Sequence, residues 1–247
     1  MSGILQRLGE RLASYLTRPR PNLRPAPVAG GVDWREHLQP CDVLLVDGAS
    51  KVSAAIKYLT QSTWSHAALY VGEMPGLERD GTPATLIEAD MTEGVRAMPL
   101  AAYAAYNVRI CRPAELTRED AASVVRFAVG ALGQQYDLRN VLDLARYLLP
   151  EPPVPLRMRR HLMMLGSGEP TRAICSTLIA RAFHSVRYPI IPEVHAEHPD
   201  GPRFSRRHHS FITPRDFDLS PYFGVVKPTL SEHFDYRAFP WHDQGSA

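Results

Sequence analysis

Three cysteines come first, because a thiolate is a strong nucleophile at near-neutral pH. Cys41, Cys111 and Cys175 are odd in number, widely spread and without a CxxC pair, so neither a disulfide framework nor a zinc knuckle is supported. Cys41 and Cys111 fall in β-rich runs, where a small thiol packs as a hydrophobe. Cys175 opens ICSTLIARAF, in which Leu178, Ile179, Ala182 and Phe183 form a helical core stripe with Cys175 one turn earlier on the same face. A thiol in the first turn of a helix feels the positive end of the dipole and unpaired N–H groups, which favour the thiolate. Cys175 is therefore the candidate nucleophile; a purely structural thiol is the alternative.

Such a thiol needs a base that later returns a proton to the leaving group, a task suited to histidine. Of ten histidines, His66 starts a β-branched and aromatic run in which it shares a face with Ala68 and Tyr70, and small Ala68 leaves room for another group. Its competing reading is a strand-start histidine bonded to the Trp64 or Ser65 backbone. A third group must then orient the imidazole. Glu88 interrupts the apolar run LIEAD, where a carboxylate is costly without a partner. Asp90 lies on the same face nearer the strand end and reads as a turn residue. His195, His198, His208 and His209 lie among prolines without a carboxylate or cysteine pattern of metal-site spacing, so no metal is expected and a solvated tail is. GxGxxG and Walker-type segments are missing, and no cofactor is expected.

The elements that must position these residues follow from periodicity. CDVLLVD reads as a buried strand, Ser50 as the N-cap of a helix carrying Val52, Ala55, Ile56 and Leu59, and SHAALYVG, ATLIEAD and VRICRP as further strands of a mostly antiparallel sheet. Thr117 and Asp120 form a capping pattern for a helix with Ala121, Val124, Val125, Ala128 and Leu132 inward, ended by Gly133. Asp137 opens another helix through Leu149, stopped by the prolines of 150–155. RMRRHLMML, before Gly168, is basic and apolar with no evident partner, and the chain beyond Pro189 has no clear elements.

At 247 residues and 45% hydrophobic content the chain can bury one sizeable core. The formal charge of +2 gives no case for a nucleic-acid binder. No run of about 18 apolar residues occurs, and no secretory signal pattern is found. Residues 4–16, ILQRLGERLASYL, put Ile4, Leu5, Leu8, Leu12, Tyr15 and Leu16 on one helical stripe. Prolines follow, and the compact domain starts near Asp33. The expected organisation is an amphipathic helix and linker at 1–31, a catalytic domain at 32–224 and a tail at 225–247. A cytoplasmic setting is expected, with peripheral contact at the inner membrane surface through residues 4–16. Oligomeric state is left open.

Four segments in order, CDVLLVDGASKVSAAIKYLTQSTWSHAALYVG, LIEADMTEGVRAMPLAAY, GQQYDL and ICSTLIARAF, together resemble the YiiX/YebB-like branch of the NlpC/P60 superfamily, whose papain-like order is circularly permuted. The resemblance runs from about Asp33 to Phe223. It implies an α+β papain-like fold, with an antiparallel sheet packed by helices and the nucleophile at a helix N-terminus. It also implies a cysteine hydrolase acting on a peptide or lipid-like amide or ester, with Cys175, His66 and Glu88 as its catalytic residues. Tyr136 of GQQYDL resembles a tyrosine beside the catalytic cysteine, and with Ser65 and Ser176 it is expected to contact substrate. Acyl transfer to a lipid-type acceptor, and a non-catalytic envelope or membrane-binding module on the same fold, are the alternatives. Two departures stand out: CD at Cys41 and Asp42 where the family opens its first strand with GD, and the stretch through RMRRHLMML as an insertion before the nucleophile.

Overall fold

A computed structural model describes residues 33–90, 92–135, 174–195 and 203–227. The expected helices at 4–16 and 137–149, Tyr136, and the RMRRHLMML stretch lie outside the described residues.

The apolar run after Asp42 becomes β1 (Val43–Val46), buried at every position. An unbroken apolar strand belongs where both faces of a sheet are covered, and that is where β1 lies. Its neighbours are β2 (His66–Tyr70) on one side and β7 (Val108–Pro113) on the other, both antiparallel. Beyond β2 come β5 (Leu86–Asp90) and β6 (Gly94–Met98), and beyond β7 comes β10 (Phe223–Val226). The six-stranded sheet has the order β10-β7-β1-β2-β5-β6. Val43 and Leu45 join one core with Leu69 and Ile87 and with Leu178, Ile179 and Phe183 of the nucleophile helix. Leu44 and Val46 join a smaller core on the other face with Ala68, Leu86, Tyr103 and Ile110.

Helix α1 (Lys51–Thr60) links β1 to β2, and Ser50 caps it as expected, its hydroxyl accepting from Ser53 N at 3.0 Å. Thr117 likewise caps α2 (Arg118–Gly130) through Asp120 N at 3.1 Å. Helix α3 (Ile174–Ser185) carries the expected core stripe, with Leu178, Ile179, Ala182 and Phe183 all buried. It packs against α2 and across β2 and β5, which brings its first turn towards the strands bearing His66 and Glu88. Two short ribbons, β3 (Glu78–Arg79) with β4 (Thr82–Pro83) and β8 (Glu193–His195) with β9 (Arg203–Ser205), stand outside the main sheet.

Three features differ from the sequence expectations. Cys41 is not in a strand: it occupies the turn before β1 with φ 75°, buried, its thiol donating to Ala121 O at 3.4 Å. A left-handed conformation costs a residue with a Cβ roughly 1–3 kcal/mol, which is why glycine suits this position in the resembling family. Second, β6 is a strand absent from the runs that the sequence marks as strands. Its first residue, Gly94, has φ 76°, and a side chain there would collide with Gln134 O, which also receives Val95 N–H at 3.0 Å. Third, the described residues beyond Pro189, for which no clear elements were expected, form several. Ile190, Ile212 and Phe217 are fully buried, α4 (Pro214–Leu219) opens with a Thr213–Asp216 capping box, and β10 runs past residue 224 to Val226.

Candidate active site

Glu88 lies in the middle of β5 with no exposed surface. Continuing the β2–β5 register, in which Leu69 faces Ile87, puts Glu88 across from Ala68 and diagonal to His66. The small side chain of Ala68 leaves the space that the carboxylate needs. Glu88 Oε2 meets His66 Nε2 at 2.9 Å. Asp90, across from His66 in the same continued register, is occupied at the hairpin turn: its Oδ1 accepts from Thr92 N at 2.8 Å and Glu93 N at 3.0 Å.

A buried carboxylate needs more than one partner, and two of those present here carry no signal in the local sequence pattern. Tyr103, in the 3-10 turn Leu100–Tyr103, donates its hydroxyl to the same Oε2, and its ring stacks on His66 with centroids 6.0 Å apart. Arg96 stands directly across from Glu88 in β6 and reaches Oε1 through Nε at 2.9 Å and Nη2 at 2.8 Å. The sequence signal for Arg96 is that it follows Thr92 by four residues, as Glu88 precedes Thr92 by four. It becomes readable only once VRAM is recognised as the returning strand.

His66 keeps 24% of its side-chain surface open, whereas Glu88 keeps none. Burial disfavours the imidazolium, but the Glu88 carboxylate and the Cys175 thiol, which hydrogen-bonds the imidazole, outweigh that and raise the His66 pKa well above its ordinary value. Burial also pushes the Glu88 carboxyl upward; His66, Tyr103 and Arg96 together bring it down to about 2. Cys175, near the start of α3 and 5% exposed, is thus the thiol brought to His66. Burial holds the other two thiols at about 12, with the Asp42 charge adding to it at Cys41 and that of Asp218 at Cys111.

The loop that delivers His66 is fastened on both sides. Trp64 Nε1 donates to Asp218 Oδ2 at 3.0 Å, Arg109 binds Asp218 Oδ1 at 2.6 Å, and the Arg109 guanidinium lies 5.0 Å over the Trp64 ring. Ser65 Oγ accepts from Gly48 N at 3.0 Å and faces Val46 O at 3.5 Å. Ser176 is fully buried, its hydroxyl donating to Ile212 O at 2.6 Å. Both hydroxyls, expected to meet substrate, are occupied inside the protein, bracing the His66 loop and anchoring α3. His208 and His209 stack at 4.1 Å in the folded domain rather than in a solvated tail. Among the described residues no group of three or more metal-ligating side chains occurs, and no helix is long and apolar enough to cross a membrane.

Residues 37–147 match the model of a family described as permuted papain-like amidase, YaeF/YiiX, C92. Over these residues, somewhat less than half of the chain, the sequence is similar to the permuted papain-like amidases. The matched stretch holds His66, Glu88, Arg96 and Tyr103 and stops short of Cys175, which α3 brings to His66. No curated protein matches. Among solved structures, the chain is similar to one titled metalloprotein yiiX from Escherichia coli O157:H7, at 17% identity and a TM-score of 0.46, covering 76% of this chain and 96% of that one.

Proposed function

We propose that the protein is a cysteine hydrolase that cleaves an amide or ester bond through an acyl-enzyme on Cys175. The observation that carries this reading is the chain of contacts from buried Glu88 to His66 and on to Cys175 at a helix start. Nε2 of His66 is engaged by Glu88, which leaves Nδ1 for the thiol. His66 takes the thiol proton, and the sulfur attacks the substrate carbonyl to form a tetrahedral intermediate. The imidazolium gives its proton to the departing amine or alcohol as the carbon–nitrogen or carbon–oxygen bond breaks. Water, deprotonated by His66, then attacks the thioester and frees Cys175. The backbone N–H of Cys175 is the natural donor to the oxyanion, since helix starts present N–H groups without intrahelical acceptors. The acyl group we infer is peptide or lipid-like.

A panel of lipid amides, lipid esters and cell-wall peptides tests this. At least one substrate should leave a hydroxylamine-sensitive acyl group on the Cys175 peptide, found by mass spectrometry, and Cys175→Ala should form neither adduct nor product. Equal turnover by Cys175→Ala would contradict the proposal. Adduct decay by water identifies a hydrolase, whereas decay only with an added lipid or amine acceptor identifies an acyl transferase.

A further inference from the structure

The Glu88 carboxylate is shared between two cations on opposite flanking strands. Oε2 receives His66 from β2, and Oε1 receives Arg96 from β6. Tyr103 donates to Oε2 from the 3-10 turn, and Cys175 of α3 reaches the group through His66. Arg96 is in turn held by Asp90 Oδ2 at 3.3 Å and by Glu93 Oε1 at 2.5 Å, and Arg79 pairs with Glu93 at 2.8 Å. Three carboxylates thus face two arginines. The one negative charge left over is matched when His66 is protonated.

We propose that Arg96 is a positioning residue that sets the pH range in which the His66–Cys175 pair works, by taking up part of the Glu88 charge and fixing the carboxylate towards His66. The inference rests on the catalytic reading above. Its physics has one sign. Arg96 is a permanent cation with 21% of its side chain exposed, close enough to favour deprotonation of every group in the cluster. Removing that charge makes proton loss harder at Cys175 and at His66 alike. Glu88 stays ionised through the working range because His66 and Tyr103 still hold it. A residue that only supported the fold would lower the rate without moving both limbs of the profile in the same direction.

The test is the pH dependence of Cys175 alkylation by iodoacetate, whose carboxylate is drawn to a protonated His66, so that the rate rises as the thiolate–imidazolium pair forms and falls as His66 loses its proton. In Arg96→Met, which keeps an apolar stem of similar length, both limbs should move up by about 1 pH unit. Arg96→Lys, which restores the charge without the two-point grip, should return them to within roughly 0.3 unit of wild type. Glu93→Gln removes a negative charge from the same cluster without touching Glu88, and should move both limbs in the opposite direction, downward, by less than Arg96→Met moves them up. If Arg96→Met does not fold by near-ultraviolet circular dichroism, Arg96→Gln takes its place with the same expected shift. Unmoved limbs in the charge-removing variant, with alkylation still dependent on His66, would overturn the role of Arg96 alone. A wild-type profile unchanged by His66→Ala would instead overturn the catalytic reading, and the role of Arg96 with it.

Discussion

Replacing His66 with alanine is expected to slow acylation of Cys175 by about 10²–10⁴-fold, the usual loss when a positioned general acid–base is removed. His66 is the group that the structure places between the thiol and the buried carboxylate. Without it the thiol has no adjacent base and the leaving group no proton donor. The fold should survive, because His66 is the first residue of β2 and Glu88 keeps Arg96 and Tyr103 as partners. Single-turnover acylation with the best substrate of the panel, alongside thermal unfolding, measures both effects. A loss below about tenfold in a well-folded variant would remove His66 from the mechanism.

Glu88→Gln should lower activity by roughly 10–1000-fold, since the amide keeps hydrogen bonding but loses the charge that stabilises the imidazolium. The same substitution should alter stability in a pH-dependent way. The carboxyl titrates near 2 in the folded protein against 4.5 ordinarily, so its contribution is present above 4.5 and lost as pH falls towards 2. His66 is shifted upward from 6.5, so its contribution is full below 6.5 and lost as pH rises through the higher folded value. Both operate together between 4.5 and 6.5. The difference in urea midpoint between wild type and Glu88→Gln should be largest in that window and shrink on either side. Full activity in Glu88→Gln combined with an inactive Asp90→Asn would move the orienting role to Asp90.

The sequence exposes the parts of this site that violate a local pattern. Glu88 is readable because a carboxylate inside LIEAD has to be paired, and Cys175 because its position extends the stripe of Leu178, Ile179 and Phe183. Residues that act through register stay hidden. Arg96 and Tyr103 look like ordinary surface or turn positions until β6 is folded back along β5, and VRAM is too short for its alternation to declare a strand. FGVV of β10 escapes for the same reason, its Gly224 weakening the pattern. Cys41 reads as a strand residue because it adjoins VLLV, yet φ is a property of the turn that no apolar count reveals. The residues after Pro189 read as a solvated tail because prolines, histidines and arginines mask Ile190, Ile212 and Phe217, each buried singly rather than along one helical face. Ser65 and Ser176 show the reverse limit. Adjacency to a catalytic residue in sequence says little about where a hydroxyl points, since consecutive side chains leave a strand on opposite faces and a helix about 100° apart.

The central claim, that Cys175 is the thiol activated by His66 and Glu88, is tested most directly by limited alkylation of the native protein with iodoacetamide at about pH 6–7, followed by peptide mapping of the three cysteines. Cys41 and Cys111 are fully buried with their thiols held at about 12, so the label should appear on Cys175 first and nearly alone, and His66→Ala should abolish that preference. Labelling of Cys41 or Cys111 ahead of Cys175 in the folded protein would contradict the account.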